Sequence, residues 1–303
     1  MNILLTGATG FIGKRLSQKL ISHEHQVVAW VRNKNKAKAV LDQKITCVER
    51  LEELKEPQFD VIINLAGEPI ADKRWTAARK LTLRSSRIDL TEKLIKYIKS
   101  LNKKPKVILS GSAIGYYGSQ RPDLELDENS DSIDGFTHTL CADWETAAAS
   151  LADDTTRVCL LRTGIVLGKG GGVLGKMLLP FKLGLGGPIG NGQQIMSWIH
   201  LQDWIKAALF LIENEDLSGP FNLVSPNPVS NKEFTSALAK TVHRPAIFRV
   251  PCAFLKLVMG ESAELLCEGQ RVIPKRLLDA GFKFDFDLLE PALNNVVAKE
   301  FST

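Results

Sequence analysis

The sequence predicts an α/β fold, a Rossmann-type doubly wound parallel sheet followed by a smaller C-terminal substrate lobe. Two observations predict it. Short apolar runs alternate with segments of helical periodicity through the first half of the chain, as in a parallel sheet covered by helices on both faces. A glycine-rich turn at residues 6–13 also joins the first apolar run to the first helical segment, which is where dinucleotide-binding folds hold the pyrophosphate.

Almost continuously apolar runs predict the strands, because a strand that is buried on both faces has no polar side. They cover residues 2–5, 26–31, 45–48, 61–64, 107–110 and 158–161. Apolar residues that recur every three or four positions predict helices at 11–22 and 86–101. The second helix presents one apolar face, which can pack on the sheet or pair two subunits in a homodimer; it consists of Leu90, Leu94, Ile98 and Leu101.

The amino-acid composition changes after about residue 164. Residues 164–192 contain eleven glycines, interrupted by an apolar amphipathic segment at 176–183. Because such a stretch is costly to order, we interpret it as a loop that covers a ligand. We therefore divide the chain into a dinucleotide-binding domain at 1–165 and a glycine-rich substrate loop with a small lobe at 166–303, from which some strands return to the main sheet.

Composition excludes several classes of function. The chain has 303 residues, 24% of them charged, and a formal net charge of +5, all ordinary for a globular protein. Its basic runs, at 33–38 and 103–106, are short and contain no aromatic residues, which argues against a nucleic-acid partner. Neither a signal-peptide pattern nor an apolar run of about 18 residues occurs, so we expect no membrane partner and a cytoplasmic location.

The cysteines favour a reducing compartment. Cys47, Cys141, Cys159, Cys252 and Cys267 are odd in number and scattered, and no pair has the Cys-x-x-Cys spacing of a zinc or redox site. Such cysteines are typically small, reduced core residues. We therefore expect reduced thiols and no metal site.

The glycine turn predicts a dinucleotide site. Gly7 permits the tight turn, Gly10 lets the backbone approach the pyrophosphate, and Gly13 lets the helix pack closely on the sheet. The helix then begins at Phe11 and Ile12, and its N-terminus offers free N–H groups and a positive dipole to phosphate. We expect all five residues to contact or shape the cofactor site.

The end of the second strand favours NADP over NAD. Binding of NAD generally places a carboxylate there for the ribose 2′-hydroxyl, whereas an arginine accommodates a 2′-phosphate. Here Val31 ends the strand and Arg32 follows, with no carboxylate beside it. A guanidinium group can hold phosphate with two parallel hydrogen bonds, so we expect both residues at an NADP site.

Taken together, the motifs resemble those of the extended short-chain dehydrogenase/reductase superfamily, and within it an epimerase-like group with a C-terminal domain of unknown function. The resemblance spans the whole chain and rests on residues 6–13, 64–67, 86–87, 161–164, 184–190, 198–200 and 268–274. It implies that Leu65, Ala66 and Gly67 line the cofactor and that Arg87 and Arg162 lie in or near its site. From the residues alone, Arg87 is equally a solvated helix residue and Arg162 equally half of a buried pair.

Members of that superfamily usually use Ser or Thr, Tyr and Lys. Ser112, at the carboxyl end of the fifth strand, matches the first of these. The Tyr-x-x-x-Lys pair is absent, because aligning Tyr with Phe136 leaves Leu140 for Lys, and aligning it with Thr137 leaves Cys141.

Three other side chains are candidate proton donors. Tyr97 lies on an outer helix, which leaves Tyr116 and Tyr117 among the tyrosines, and His138 ordinarily titrates near neutral pH. For His138, a surface helix residue is an equally good interpretation.

Further candidates lie in the second segment. His200 is either a substrate contact or a structural hydrogen-bonding residue, and Asp203 suits the cap of a helix. Lys182, Gln193 and Gln194 suit contacts to a small anionic or polyhydroxy substrate.

The leading hypothesis is an NADP(H)-binding oxidoreductase or epimerase-like enzyme that acts on a small polar substrate. The alternative is an NADPH-binding sensor or regulatory protein with impaired catalysis, since loss of an activated acid typically costs about 10²–10⁴-fold in rate. A lyase that uses Asp or Glu is weaker, because no paired carboxylates fall at predicted strand ends.

Overall fold

The computed structural model describes residues 1–54 and 57–298. The strands are β1 (Asn2–Thr6), β2 (Gln26–Trp30), β3 (Thr46–Val48), β4 (Val61–Asn64), β5 (Val107–Ala113), β6 (Glu125–Leu126), β7 (Arg157–Thr163), β8 (Ile165–Leu167), β9 (Ile195–Met196), β10 (Trp198–His200), β11 (Gly219–Leu223), β12 (Val229–Ser230) and β13 (Arg271–Val272). The α-helices are α1 (Phe11–Ser22), α2 (Lys34–Lys38), α3 (Ala77–Ser85), α4 (Ile88–Ser100), α5 (Phe136–Ala149), α6 (Gly172–Lys182), α7 (Leu201–Glu213), α8 (Asn231–Thr241), α9 (Cys252–Met259), α10 (Glu264–Cys267), α11 (Lys275–Asp279) and α12 (Leu289–Ala298). Short 3-10 helices lie at Leu51–Glu53, Ile114–Tyr117 and Gly260–Ala263.

Seven parallel strands form the main sheet, in the order β3-β2-β1-β4-β5-β7-β11. The predicted Rossmann-type fold is confirmed. The order reverses at β1, which pairs with β2 on one side and with β4 on the other. Ligands of such sheets bind beyond the carboxyl ends of the strands at this reversal. Strand β11 comes from the second segment of the chain, which therefore returns a strand to the sheet.

Helices cover both faces of the sheet. On one face, Leu16 and Leu20 of α1 and Trp204 of α7 are fully buried in a core that includes β1 and β4. On the other face, Leu94 and Ile98 of α4 are buried against the same sheet. Leu101 packs against the same cluster, so three of the four residues on the predicted apolar face of that helix pack within the chain.

A second core lies beside the sheet. It joins α6, α8 and α12 through side chains such as Leu174, Phe234 and Leu293, all of them fully buried. Two two-stranded pairings, β12 with β9 and β13 with β6, hold this region to the loops at the carboxyl ends of the main sheet.

The expectation that all five cysteines are reduced thiols is wrong for one pair. Cys252 of α9 and Cys267 of α10 form a disulfide, with Cα atoms 5.8 Å apart, which is within the range of natural disulfides. Fifteen positions separate them, and the turn between the two helices brings them together. The other three cysteines are free and buried, as expected; they are Cys47, Cys141 and Cys159.

The helix predicted at 86–101 begins two residues later, at Ile88, and a separate helix, α3, precedes it. Ser86 and Arg87 form the break. Both residues bind the loop that follows β4, since the Ser86 hydroxyl accepts from the Glu68 amide and Arg87 donates to the Glu68 carbonyl. These long-range bonds interrupt a segment whose local pattern is helical.

Among residues 1–54 and 57–298, no helix is both long enough and apolar enough to cross a bilayer.

Candidate functional site

The glycine turn has the geometry of a phosphate site. Gly7 has φ = +70°, and a Cβ atom there would lie 2.6 Å from the carbonyl carbon of Leu65. A Cβ on Gly13 would overlap the carbonyl oxygen of Gly7. Helix α1 begins at Phe11 after Gly10, which supplies no capping side chain, and its first turn contains no acidic residue. The amide groups of this helix N-terminus are therefore available to an anion.

Phe11 joins the turn to the glycine-rich segment. Its ring lies against Gly168, Gly171 and Gly172, where added Cβ atoms would contact it. The predicted ligand-covering loop thus packs on a residue of the predicted cofactor turn.

The loop after β4 is held next to the turn by Thr6. The Thr6 hydroxyl donates to Asn64 Oδ1 at 2.7 Å and accepts from the amides of Leu65 and Ala66, each at 3.1 Å. Three backbone and side-chain groups of the loop thus converge on one buried hydroxyl. This places Leu65 and Ala66 beside Gly7, across the reversal of strand order.

Arg87 contacts the loop after β4 at Gly67 and Glu68. Its guanidinium group lies against Gly67, where a Cβ atom would be 3.0 Å from Arg87 Cζ, and Nη2 donates to the Glu68 carbonyl at 3.0 Å. The guanidinium carbon also lies 5.4 Å from the ring centroid of Trp144. Burial lowers the pKa of Arg87 from its usual value. Arg87 is therefore a partly buried contact of the cofactor loop, and not a solvated surface residue.

Arg32 lies beyond the end of β2, where an adenosine 2′-phosphate would bind. The amide of Val31 donates to Val48 and continues the strand pairing, whereas the Arg32 side chain is 91% exposed. Arg32 Nη1 lies 2.8 Å from Oε1 of Glu68, whose other oxygen is 3.3 Å from Nη1 of Arg79. The hydrogen bond from Arg32 is the main cause of a lowered pKa at Glu68, which is therefore charged at neutral pH.

At the carboxyl ends of β5 and β7, a buried ion pair holds Ser112. Arg162 Nε and Nη2 each lie 2.9 Å from an oxygen of the Glu145 carboxylate, and the Ser112 hydroxyl donates to Oε1 of the same group at 2.6 Å. All three residues are buried. The Ser112 proton is thus directed to Glu145, and its lone pairs remain as acceptors.

Tyr117 belongs to the same network. Its ring is fully buried, its hydroxyl donates to Asn222 Oδ1 at 2.7 Å, and it accepts from Arg162 Nη1 at 3.0 Å. The carboxylate of Glu128 extends this network, since it accepts hydrogen bonds from the backbone amides of Asn222 and Arg276. Burial raises the pKa of Tyr117 to about 12, so this phenol is a weak acid that is already fully hydrogen-bonded.

Tyr116 is placed differently. It is half-buried, and no residue of the described chain hydrogen-bonds to its hydroxyl. Its ring lies on the Arg162 guanidinium group, 3.4 Å from ring centroid to Cζ. The Tyr116 carbonyl accepts from His138 Nδ1 at 2.5 Å. Because a carbonyl can only accept, Nδ1 carries the proton and Nε2 of a neutral His138 is an acceptor.

Comparison with known proteins agrees with this architecture. The profile of the NAD dependent epimerase/dehydratase family matches residues 3–229. The chain belongs to this family. A domain of unknown function, DUF1731, matches residues 250–296.

Several full-length members of the family are similar to the chain. The epimerase family protein SDR39U1 of Bos taurus is 38% identical over 98% of this chain and 100% of its own length. The epimerase family protein YfhF of Bacillus subtilis (strain 168) is 36% identical over 98% of each chain. A crystal structure of human SDR39U1 (isoform 2) with NADPH is 35% identical, covers 98% of this chain and 99% of its own, and superimposes with a TM-score of 0.90. A UDP-galactose 4-epimerase structure, at 18% identity and a TM-score of 0.76, shares the fold.

Within this epimerase family, the structure decides where the missing Tyr-x-x-x-Lys pair would stand. Thr137 and Cys141 face the end of β5, since a Cβ on Gly115 would lie 3.1 Å from Thr137 Cβ and 3.7 Å from Cys141 Sγ. The register that pairs Thr137 with Cys141 is therefore the one that faces Ser112. Burial raises the pKa of Cys141 to about 12, so the thiol is neutral. A cysteine in either protonation state lacks the positive charge of a lysine.

One expectation for the second segment changes. Asp203 does not cap a helix, because His200 is the N-cap of α7 and its Nδ1 accepts from the Gln202 amide. The buried Asp203 carboxylate instead accepts from the amides of Asp285 and Phe286. Burial raises its pKa from the usual value. Asp203 thus anchors the chain that leads into α12.

The predicted substrate contacts lie in several places. The Gln194 side chain donates to the carbonyls of Ile189 and Leu266, which ties β9 to α10. Gln193 is exposed beside Asn191, and Lys182 ends α6. Within the described ranges, no three His, Cys, Asp or Glu side chains are grouped as a metal site.

A separate surface groove lies away from this site. It has a volume of about 1120 Å³ and runs between α1 and α7, past Arg15, Lys19 and Lys206. Ser112, Tyr116 and His138 do not line it. We place the candidate site at the strand ends because the polar groups and the cofactor turn converge there.

Sequence reasoning missed Glu145, Glu128 and Asn222. A signal for the first was present, because Glu145 lies at helical spacing with Cys141 and Ala148 on a buried face, and Arg162 interrupts an apolar strand. Buried charges of opposite sign generally pair. Nothing in the local pattern indicates Glu128 or Asn222, which are 94 residues apart where they bond.

Proposed function

We propose that this epimerase-family chain is an NADP(H)-dependent oxidoreductase or epimerase-like enzyme that acts on a small anionic or polyhydroxy substrate. The cofactor fits the residues present. At Gly7 and Gly13 the backbone packs too closely for a side chain, and the N-terminus of α1 offers uncapped amides to a pyrophosphate. The structure of human SDR39U1 with NADPH supports the same choice.

Arg32 supports NADP over NAD. Its guanidinium group is exposed and can turn from Glu68 toward a 2′-phosphate. Asn33 beside it instead caps α2, since its side chain accepts from the Lys36 amide at 2.9 Å. Charge-assisted bonds between a guanidinium group and phosphate are among the stronger polar contacts in proteins.

One observation carries the catalytic assignment: of the two adjacent tyrosines, Tyr117 has a fully engaged hydroxyl and Tyr116 does not. When bound, NADP(H) would supply hydride-transfer chemistry at the substrate carbon. Tyr116 donates a proton to the substrate oxygen, or removes one in the reverse direction. The permanent charge of Arg162 beneath its ring stabilises the phenolate that forms.

His138 and Ser112 complete the set. His138 fixes the Tyr116 backbone through Nδ1, and its Nε2 is an acceptor for a proton that leaves the site. Ser112, whose own proton goes to Glu145, accepts from a substrate hydroxyl and so orients it. The ion pair between Arg162 and Glu145 holds these groups in place.

The test separates binding from chemistry. Purified protein is titrated with NADPH by fluorescence and then incubated with NADPH and a panel of carbonyl metabolites, while absorbance reports oxidation of the cofactor. We expect Tyr116→Phe to lower turnover of any accepted substrate by about 10²–10⁴-fold and to leave NADPH affinity unchanged. Tyr97→Phe is the matched control, because Tyr97 lies near the C-terminus of α4, packed on the core, and makes no contact with the site; it should retain full turnover.

If Tyr116→Phe retained turnover, the assignment of Tyr116 would be wrong. If the protein bound NADPH but no metabolite of the panel caused its oxidation, the proposed enzymatic function would be contradicted.

A further inference from the structure

Glu68 lies between two arginines that differ in mobility. Its carboxylate oxygens bind Arg32 at 2.8 Å and Arg79 at 3.3 Å. The Arg32 side chain is 91% exposed and the Arg79 side chain 10% exposed. The backbone of Glu68 is fixed from both sides, since its amide donates to Ser86 and its carbonyl accepts from Arg87. Only the carboxylate of Glu68 and the side chain of Arg32 are therefore free to rearrange.

Arg79 is held firmly in place. It lies in the first turn of α3, where its amide donates to the Thr76 cap, and Nη2 donates to the carbonyl of Pro69 at 2.5 Å. Its remaining bond goes to Glu68. Because the side chain is nine-tenths buried, Arg79 acts on a ligand at Arg32 through Glu68.

A carboxylate at this position has two consequences for cofactor choice. It competes with a 2′-phosphate for Arg32 and repels it, and it can accept a hydrogen bond from a free ribose 2′-hydroxyl, as the acidic residue of NAD-binding folds does. An unrestrained Glu68 would therefore favour NADH over NADPH. Glu68 pairs with Arg79 as well as with Arg32, so its charge stays neutralised when Arg32 leaves.

We propose that Arg79 is a positioning residue for NADPH selectivity. It holds the Glu68 carboxylate in an ion pair while the Arg32 side chain turns to the 2′-phosphate. This inference rests on the proposed function, in which the chain binds NADP(H). It assigns the selectivity to a three-residue relay, Arg32, Glu68 and Arg79, of which the sequence pattern indicates only Arg32.

The experiment is a double-mutant cycle read by direct binding. NADPH and NADH are titrated against the wild type, Arg79→Ala, Glu68→Gln and the combination. We expect Arg79→Ala to weaken NADPH about tenfold, as for one uncompensated charge near phosphate, and to change NADH affinity less than about twofold. Glu68→Gln should tighten NADPH slightly. The combined variant should regain wild-type NADPH affinity, because no carboxylate remains to compete.

Arg84→Ala is the matched control, since it removes a surface arginine from the same helix that pairs with Asp143. It should leave both affinities unchanged. Arg79→Lys retains the charge and should stay within about threefold of the wild type for NADPH; it also provides the test if Arg79→Ala fails to fold.

The outcomes separate the two ideas. The proposed function is contradicted if the wild-type protein binds neither cofactor, or if it binds NADH and NADPH with equal affinity. Wild-type preference for NADPH together with an Arg79→Ala loss that is equal for both cofactors, or is not restored by Glu68→Gln, contradicts the role of Arg79.

Discussion

The buried pair of Arg162 and Glu145 gives the sharpest prediction about stability. Glu145→Gln keeps the shape of the side chain and removes its charge, so the cavity is unchanged and Arg162 is left as a buried cation. The bonds at stake are two Arg162 contacts of 2.9 Å and the 2.6 Å contact from Ser112. Removal of one partner of a buried ion pair costs about 3–5 kcal/mol, and we expect that loss in the free energy of unfolding.

Urea unfolding followed by tryptophan fluorescence measures it, since Trp144 precedes Glu145 on α5. The midpoint should fall with an unchanged dependence on urea, which identifies a loss of stability rather than a change in the compactness of either state. Asp143→Asn, two residues away, removes a half-exposed partner of Arg84 and should cost less than about 1 kcal/mol. Equal losses for Glu145→Gln and Asp143→Asn would refute the argument from burial.

Three further outcomes are expected. Gly13→Ala should lower the melting temperature and abolish tight NADPH binding, because its Cβ would overlap the Gly7 carbonyl, whereas Gly175→Ala, with open space around its Cβ, should do neither; equal melting temperatures would contradict this. In the folded chain the pKa of Tyr117 is raised to about 12 from 10, so its contribution to the free energy of unfolding is complete below pH 10 and falls by about 2–3 kcal/mol as the pH rises from 10 to 12. Urea unfolding of Tyr117→Phe should show a correspondingly smaller decline in the free energy of unfolding over this pH range. An identical decline in the wild type and the variant would contradict this prediction. Denatured protein that has not met a reductant should titrate three thiols with a thiol reagent, and reduced protein five; five in both cases would contradict the pairing of Cys252 with Cys267.

The sequence predicts the part of the fold that local pattern determines. Helix α1 and the strand at Val61–Asn64 begin and end where expected, because the glycine turn marks the start of the helix and a short continuous apolar run marks the strand. The helix at 86–101 starts late because contacts to Glu68, 18 positions earlier, override local periodicity. Glycine spacing similarly predicts a phosphate site, since the backbone itself forms it.

The polar site is harder to predict because its partners are distant in sequence. Ser112 is recognisable as a strand-end residue, but its acceptor, Glu145, lies 33 positions later, and the acceptor for Tyr117 lies 105 positions later. Two adjacent tyrosines have the same local pattern, and only tertiary packing separates a buried structural phenol from an accessible one. The pairing of Glu68 with Arg79 is likewise a property of the fold.

The chain lacks a Tyr-x-x-x-Lys pair, and the cation near Ser112 comes from a different element of the fold. A lysine on α5 would need the position of Cys141, which is fully enclosed, so an ammonium group there would be costly to bury. In this chain the cation is Arg162 on β7, and Glu145 on α5 balances it one turn after Cys141. The helix thus contributes the anion and the strand the cation, whereas a Tyr-x-x-x-Lys pair would place its cation on the helix. Under the proposed function, Arg162 against the Tyr116 ring would take the electrostatic role of that lysine.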